Sequence, residues 1–134
     1  MPSAVAEDPA LTREQIITQY KEVYVPQFEK LLVRMNTIKS TALKVPTLKK
    51  SFEYVYNDYM EETGIINTTV ADPKGDVTAI LGYSQEEVDE IGKLVTYLES
   101  QVRKVTTIKC VKGKTVKTVT DVSAKCPKGF TIKK

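Results

Sequence analysis

The chain contains no histidine and no tryptophan, and only two cysteines, Cys110 and Cys126. Without histidine it lacks the commonest general base at neutral pH and the commonest transition-metal ligand. Two thiols cannot build a four-thiolate zinc site. No apolar run approaches the ~20 residues that a bilayer-spanning helix needs. The GxSxG, P-loop, GxGxxG and HExxH patterns are all missing, so no nucleophile, phosphate cradle or metal motif argues for an enzyme. The expectation is a non-enzymatic protein with no cofactor, no metal and no membrane span. From Met1 to Pro9 there is neither a basic nor an apolar stretch. This start does not read as a secretory leader, and residues 1–11 are expected to form an extended arm.

Charge is distributed unevenly. From Arg103 to Lys134 there are ten Lys/Arg against one acid, Asp121, a balance of +9. The residues before Arg103 carry ten Lys/Arg against sixteen acids, a balance of −6, which together return the chain's +3. Both cysteines fall in the basic part. A chain of 134 residues suits one domain with a small appendage and is long enough to bury a core.

Helical signals dominate residues 12–104. Thr12 and Gln15 have the spacing of a capping box, in which each side chain satisfies a backbone N–H of the other. Ile16, Tyr20, Val23 and Tyr24 follow at helical spacing, and Phe28, Leu31, Leu32, Met35 and Ile38 continue it. Pro26 interrupts the run, so a kink or break is expected near Val25. Val45-Pro46 marks a boundary. Leu48, Phe52, Val55, Tyr56 and Tyr59 then define the buried stripe of a second helix, with Gly64 suited to its C-terminal cap. Ile65 to Val70 reads as a short strand, and Asp72-Pro73-Lys74-Gly75-Asp76 as a turn. Ser84 with Glu87 has capping-box spacing, and Tyr83 with Val88 that of a hydrophobic staple. Val88, Ile91, Val95, Leu98 and Val102 form a narrow seam for packing against other helices.

After Lys104 the period changes. Val105 to Val111 and Thr115 to Thr120 are rich in β-branched residues, with Lys112-Gly113-Lys114 between them, which predicts a β-hairpin. Cys126-Pro127-Lys128-Gly129-Phe130 reads as a turn. The fold class expected is α+β: a bundle of three or four helices over 12–104 with a small C-terminal β-hairpin appendage over 105–134.

A Cys110–Cys126 disulfide would close a loop of about fifteen residues and contribute roughly 3 kcal/mol, a staple that a module with so little core needs. Two reduced thiols are the alternative. A CxxC redox pair is ruled out by the spacing. Lys109, Lys112, Lys114, Lys117, Lys125, Lys128, Lys133 and Lys134 are candidates for contact with a polyanion or an acidic partner. Lysine is a point charge without arginine's planar fork, which argues against base-specific readout. The competing reading is that these lysines protect strand edges and keep the module soluble.

Glu86, Glu87, Asp89 and Glu90 read as acids near a helix start, stabilised by its dipole; a cation or basic partner is the sharper alternative. Tyr20, Tyr24, Tyr54, Tyr56, Tyr59, Tyr83 and Tyr97 all lie in the helical part and serve either an interface or the rim of the core. Asn67-Thr68-Thr69 matches a glycosylation sequon.

Cys110-Val111-Lys112-Gly113-Lys114, then Val116, Val119 and Val122, then Lys125-Cys126-Pro127-Lys128-Gly129-Phe130 and a lysine end, resemble a short lysine-rich C-terminal module of some bacterial surface and secreted proteins. The resemblance covers about a fifth of the chain and implies an extracellular, disulfide-stapled appendage for attachment or assembly. A disulfide points to an oxidising place, whereas the N-terminal residues do not read as an export signal. A virion component, made in a cytosol and oxidised after release, reconciles the two. The leading expectation is therefore a structural protein of a larger assembly, a bacteriophage virion component, partnered by other proteins and by copies of itself. A polyanion-binding protein of a cell envelope or of nucleic acid, acting through the same lysines, is the alternative. The expected location is a virion or extracellular, or cytoplasmic if the thiols are reduced.

Overall fold

The computed structural model describes residues 10–133. The expected N-terminal arm lies almost wholly outside the described residues, as does Lys134. The fold is α+β: a helical bundle with a small antiparallel sheet. The first helical rod is made of α1 (Arg13–Gln19), a π-helical turn (Tyr20–Tyr24) and α2 (Val25–Lys44). Two further helices follow, α3 (Pro46–Ala71) and α4 (Ile80–Arg103).

The capping box at Thr12 and Gln15 forms in both directions. Pro26 does not break the rod. The ladder widens just upstream, where Val25 N–H bonds the carbonyl of Tyr20. In an α-helix the proline ring would press on the carbonyl four residues back; one wide turn removes that conflict and the helix resumes. Val45 is extended (φ −108°, ψ 108°) ahead of Pro46, and the chain turns there into α3.

Three local expectations fail, each for a tertiary reason. Gly64 does not cap α3, which runs on to Ala71. The segment expected as a strand is helical because Ile66 is fully buried and the Tyr20 hydroxyl donates to Asn67 Oδ1 at 2.6 Å. Ser84 does not cap α4, which begins at Ile80. Ile80 is itself buried, and drawing it onto the core starts the helix earlier. Ser84 becomes a fully buried mid-helix residue whose Oγ has no hydrogen-bond partner.

The expected turn at Asp72–Asp76 forms, and Gly75 is required there. Gly75 N–H bonds the Asp72 carbonyl at 2.8 Å. A Cβ at position 75 would fall 2.1 Å from the Thr69 carbonyl oxygen. The Arg13 guanidinium donates to the carbonyls of Asp72 (2.6 Å) and Gly75. It thereby ties the start of α1 to the end of α3 and occupies carbonyls that the turn leaves without helical partners.

The core is one cluster drawn from every helix after α1. Phe28, Leu31 and Met35 of α2 meet Leu48, Phe52, Val55 and Tyr59 of α3 and Ile91, Val95 and Leu98 of α4. Fully burying each such side chain contributes roughly 1.5–3 kcal/mol. Phe28 and Tyr59 pack edge to face at 6.1 Å, and the Tyr59 hydroxyl donates to the Phe28 carbonyl at 2.8 Å. Burial, first of all, pushes the Tyr59 phenol up to about 12. On the outside, Arg34 of α2 grips Glu99 of α4 through two hydrogen bonds of 3.1 and 2.6 Å and also reaches Thr96.

The sheet contains β1 (Val105–Lys112), β2 (Thr115–Val122) and β3 (Thr131–Ile132) in the order β2-β1-β3. The two long strands form the expected hairpin, pairing Val105 with Val122 through to Lys112 with Thr115. Gly113, at φ 61°, takes the first central position of the two-residue turn, where positive φ is what a twisted hairpin needs. The short third strand goes beyond the expected hairpin. At the base of the hairpin Val105 and Val122 pack on the helical core, and the Thr47 hydroxyl donates to Asp121 Oδ1 at 2.7 Å.

Candidate functional site

Residues that face each other across the hairpin share a side of the sheet. On the first side lie Val105, Thr107, Lys109 and Val111 of β1 with Val122, Thr120, Thr118 and Val116 of β2. The Thr107 and Thr120 hydroxyls stand 2.9 Å apart. On the second side lie Thr106, Ile108, Cys110 and Lys112 with Asp121, Val119, Lys117 and Thr115. Cys110 is fully buried and bonded to Cys126, with the two Cα atoms 5.5 Å apart. The disulfide thus pins the return segment to the middle of β1. That segment goes on through the turn closed by Phe130 N–H and the Pro127 carbonyl (3.0 Å) into β3 beside β1. The staple substitutes for a core: Ile108 and Phe130 are only half-buried, and Ile132 is exposed.

The candidate lysines do not converge. Lys109 lies on β1 and Lys133 just past the end of β3, where Lys133 N–H bonds the Lys109 carbonyl at 2.8 Å. Lys112 and Lys117 lie on the second side, and Lys117 Nζ sits 5.1 Å from the centre of the Phe130 ring. Lys114 is in the hairpin turn, and Lys125 and Lys128 are in the return segment. All seven described lysines are exposed, and among the described residues none is in an ion pair. Such an arrangement makes a positive field around the whole module rather than a pocket for one anion. Only Lys117 stands on β2, the longer of the two edge strands, so lysines do little to protect that edge.

Opposite charge collects on the body. Since α4 starts at Ile80, Glu86, Glu87, Asp89 and Glu90 lie beyond its first turn, and the expected dipole stabilisation does not apply. Glu87 instead faces α3. Partial burial, then the neighbouring carboxylates Glu62, Glu90, Asp58 and Glu86, push its carboxyl up to about 7. Glu62 is raised for the same reasons, burial first, and its Oε2 is shut off from solvent without a hydrogen-bond partner. No group of His, Cys, Asp and Glu among the described residues has the geometry of a metal site. This juxtaposition across two helices was not visible in the linear sequence.

The tyrosines divide. Tyr20, Tyr24 and Tyr59 belong to the core, and Tyr56 is half-buried with Lys39 Nζ 5.0 Å from its ring centre. Tyr54 and Tyr97 are exposed and, with Lys50 and Leu94, line an open groove of about 320 Å³ between α3 and α4. The sequon asparagine, Asn67, lies within α3 and receives the Tyr20 hydroxyl. No helix of the described chain is long and apolar enough to cross a membrane. No protein-family model matches the chain, and no curated protein and no solved structure is significantly similar to it.

Proposed function

We propose that this chain is a non-enzymatic structural protein of a larger assembly, working where disulfides persist: a virion, with a bacteriophage particle as the leading setting, or an extracellular surface. The observation that carries the reading is the pairing of two unsatisfied surfaces on one chain. A stapled module presents seven exposed lysines that form no ion pair among the described residues, and the α3–α4 face crowds carboxylates that raise the pKa of Glu62 and Glu87. Charges left uncompensated in this way favour association with surfaces of opposite sign. The buried Cys110–Cys126 bond supports an oxidising location.

The test is recovery from the native source without reductant. An intact mass two daltons below the reduced value, with the chain inside purified particles or an exported fraction, supports the proposal; free thiols in a cytosolic fraction refute it. The unpaired lysines also favour a second reading, a polyanion-binding protein. That reading predicts binding to duplex DNA or polyphosphate that falls steeply as salt rises.

A further inference from the structure

We infer that β2 is an interface strand, and that its partner is β2 of a second copy, paired antiparallel about a two-fold axis through Val119. The inference rests on the assembly reading and names the surface through which like copies would meet.

The sheet order is β2-β1-β3, so β2 is hydrogen-bonded on one edge only. Which backbone groups point outward follows from two bonds. Lys133 N–H bonds the Lys109 carbonyl, and so the odd residues of β1 turn toward β3 and the even ones toward β2. Ser123 N–H bonds the Lys104 carbonyl, so the odd residues of β2 turn toward β1. The free edge therefore carries the N–H and C=O groups of Val116, Thr118, Thr120 and Val122. Of these, the Val122 N–H is taken by its own neighbour, Asp121 Oδ1, at 2.7 Å. Six of the eight residues of β2 are β-branched, none is proline, and one is lysine. Proline, bulges and several charges are the usual means of blocking an edge, and this strand has almost none of them.

Register selects the occupant. Two copies of β2 can exchange hydrogen bonds only where even residues oppose even residues. Centring the axis on Val119 sets Thr118 against Thr120 of the other copy, Val116 against Val122 and Val119 against itself. It also sets Lys117 against Asp121, twice, once on each side of the axis. Moving the centre to Lys117 opposes the two lysines, and moving it to Asp121 opposes the two acids. Centres on Thr118 or Thr120 leave both charges facing uncharged side chains. Opposite-charge cross-strand pairs are favourable and like-charge pairs are not, so one register satisfies both the hydrogen bonds and the charges. The sides also agree, because facing residues of an antiparallel pair share a side. The first side of one hairpin would continue into the first side of the other as a six-stranded sheet.

The test uses the oxidised full chain and sedimentation over a concentration series up to about 1 mM, the weak end of specific association. Wild type should associate to a dimer. Lys117→Glu and Asp121→Lys each oppose like charges twice, and each alone should weaken association by about tenfold or more. In a mixture of the two variants, the glutamate introduced in one faces the lysine introduced in the other, and the native Lys117 faces the native Asp121. Mixing should therefore restore a heterodimer. Thr118→Pro, which removes an outward N–H and spares the β1 ladder, should abolish the dimer with the disulfide intact. A wild type that associates equally well in all these forms refutes the β2 pairing and leaves the assembly reading standing. A chain that is monomeric throughout and absent from native particles refutes both.

Discussion

Glu87→Gln should stabilise the protein, and increasingly so as pH rises from about 5 to 8. In the fold Glu87 feels the charges of Glu62, Glu90, Asp58 and Glu86, and burial followed by these charges raises its carboxyl from an ordinary 4.5 to about 7. The sign follows from linkage: a group that holds its proton more tightly when folded contributes its full stability below the unfolded value, near 4.5, and loses it as pH rises through 7. At about 1.4 kcal/mol for each pKa unit, the rise sets an upper figure of roughly 3 kcal/mol. Glu87 is only half-buried, and solvent screening reduces this to about 1–2 kcal/mol. In the window from pH 5 to 8 the chain has no histidine to titrate, the lowered carboxylates, Glu99 and Asp76, lose their contribution at more acidic pH, and Glu62, also raised, changes stability in the same direction as Glu87. Denaturant titrations of the oxidised protein at pH 5, 6, 7 and 8 should show wild type losing about 1–2 kcal/mol across the window, with Glu87→Gln clearly flatter, its remaining slope coming from Glu62, and increasingly more stable than wild type toward pH 8. A variant that keeps the wild-type slope, or a wild type that gains stability with pH, would refute the like-charge account.

Gly75→Ala places a Cβ against the Thr69 carbonyl and should cost about 2–4 kcal/mol of stability, readable as a lower thermal midpoint. Ser84→Ala removes a buried hydroxyl that lacks a partner and adds helix propensity; a gain of about 1 kcal/mol in denaturant unfolding is expected. Reduction of Cys110–Cys126 should remove roughly 3 kcal/mol from the hairpin module and leave the far-UV signature of the helices in place, since few contacts beyond Val105, Val122 and Thr47 join the module to the body.

Local chemistry was readable in advance and long-range compensation was not. The Thr12–Gln15 box, the Val45-Pro46 break, the Ile91–Val95–Leu98 seam and the hairpin across Gly113 each follow from residues within one turn or one strand pair. Ser84 and Glu87 carry the same local signal as Thr12 and Gln15, yet burial of Ile80 and Ser84 overrides it. Gly64 likewise fails to end α3, because Ile66 and the Tyr20–Asn67 bond hold the next turns against another helix. The acidic face needs Glu62 and Glu87, which are twenty-five positions apart in sequence and adjacent only after α3 and α4 pack. The basic module was legible as charge and cysteine spacing. Its free β2 edge was not, because β3 covers the opposite edge of β1 with only two residues.

Hydrogen exchange at the amides of Thr118 and Thr120, followed against protein concentration, tests the central claim most directly. Both amides point away from β1, so in the isolated chain they have no partner and should exchange freely. Pairing with a second copy should slow both together as concentration rises, while the inward amide of Val119 stays protected throughout. Fast exchange at 118 and 120 at every concentration, in a chain that nonetheless associates, would contradict assembly through this strand.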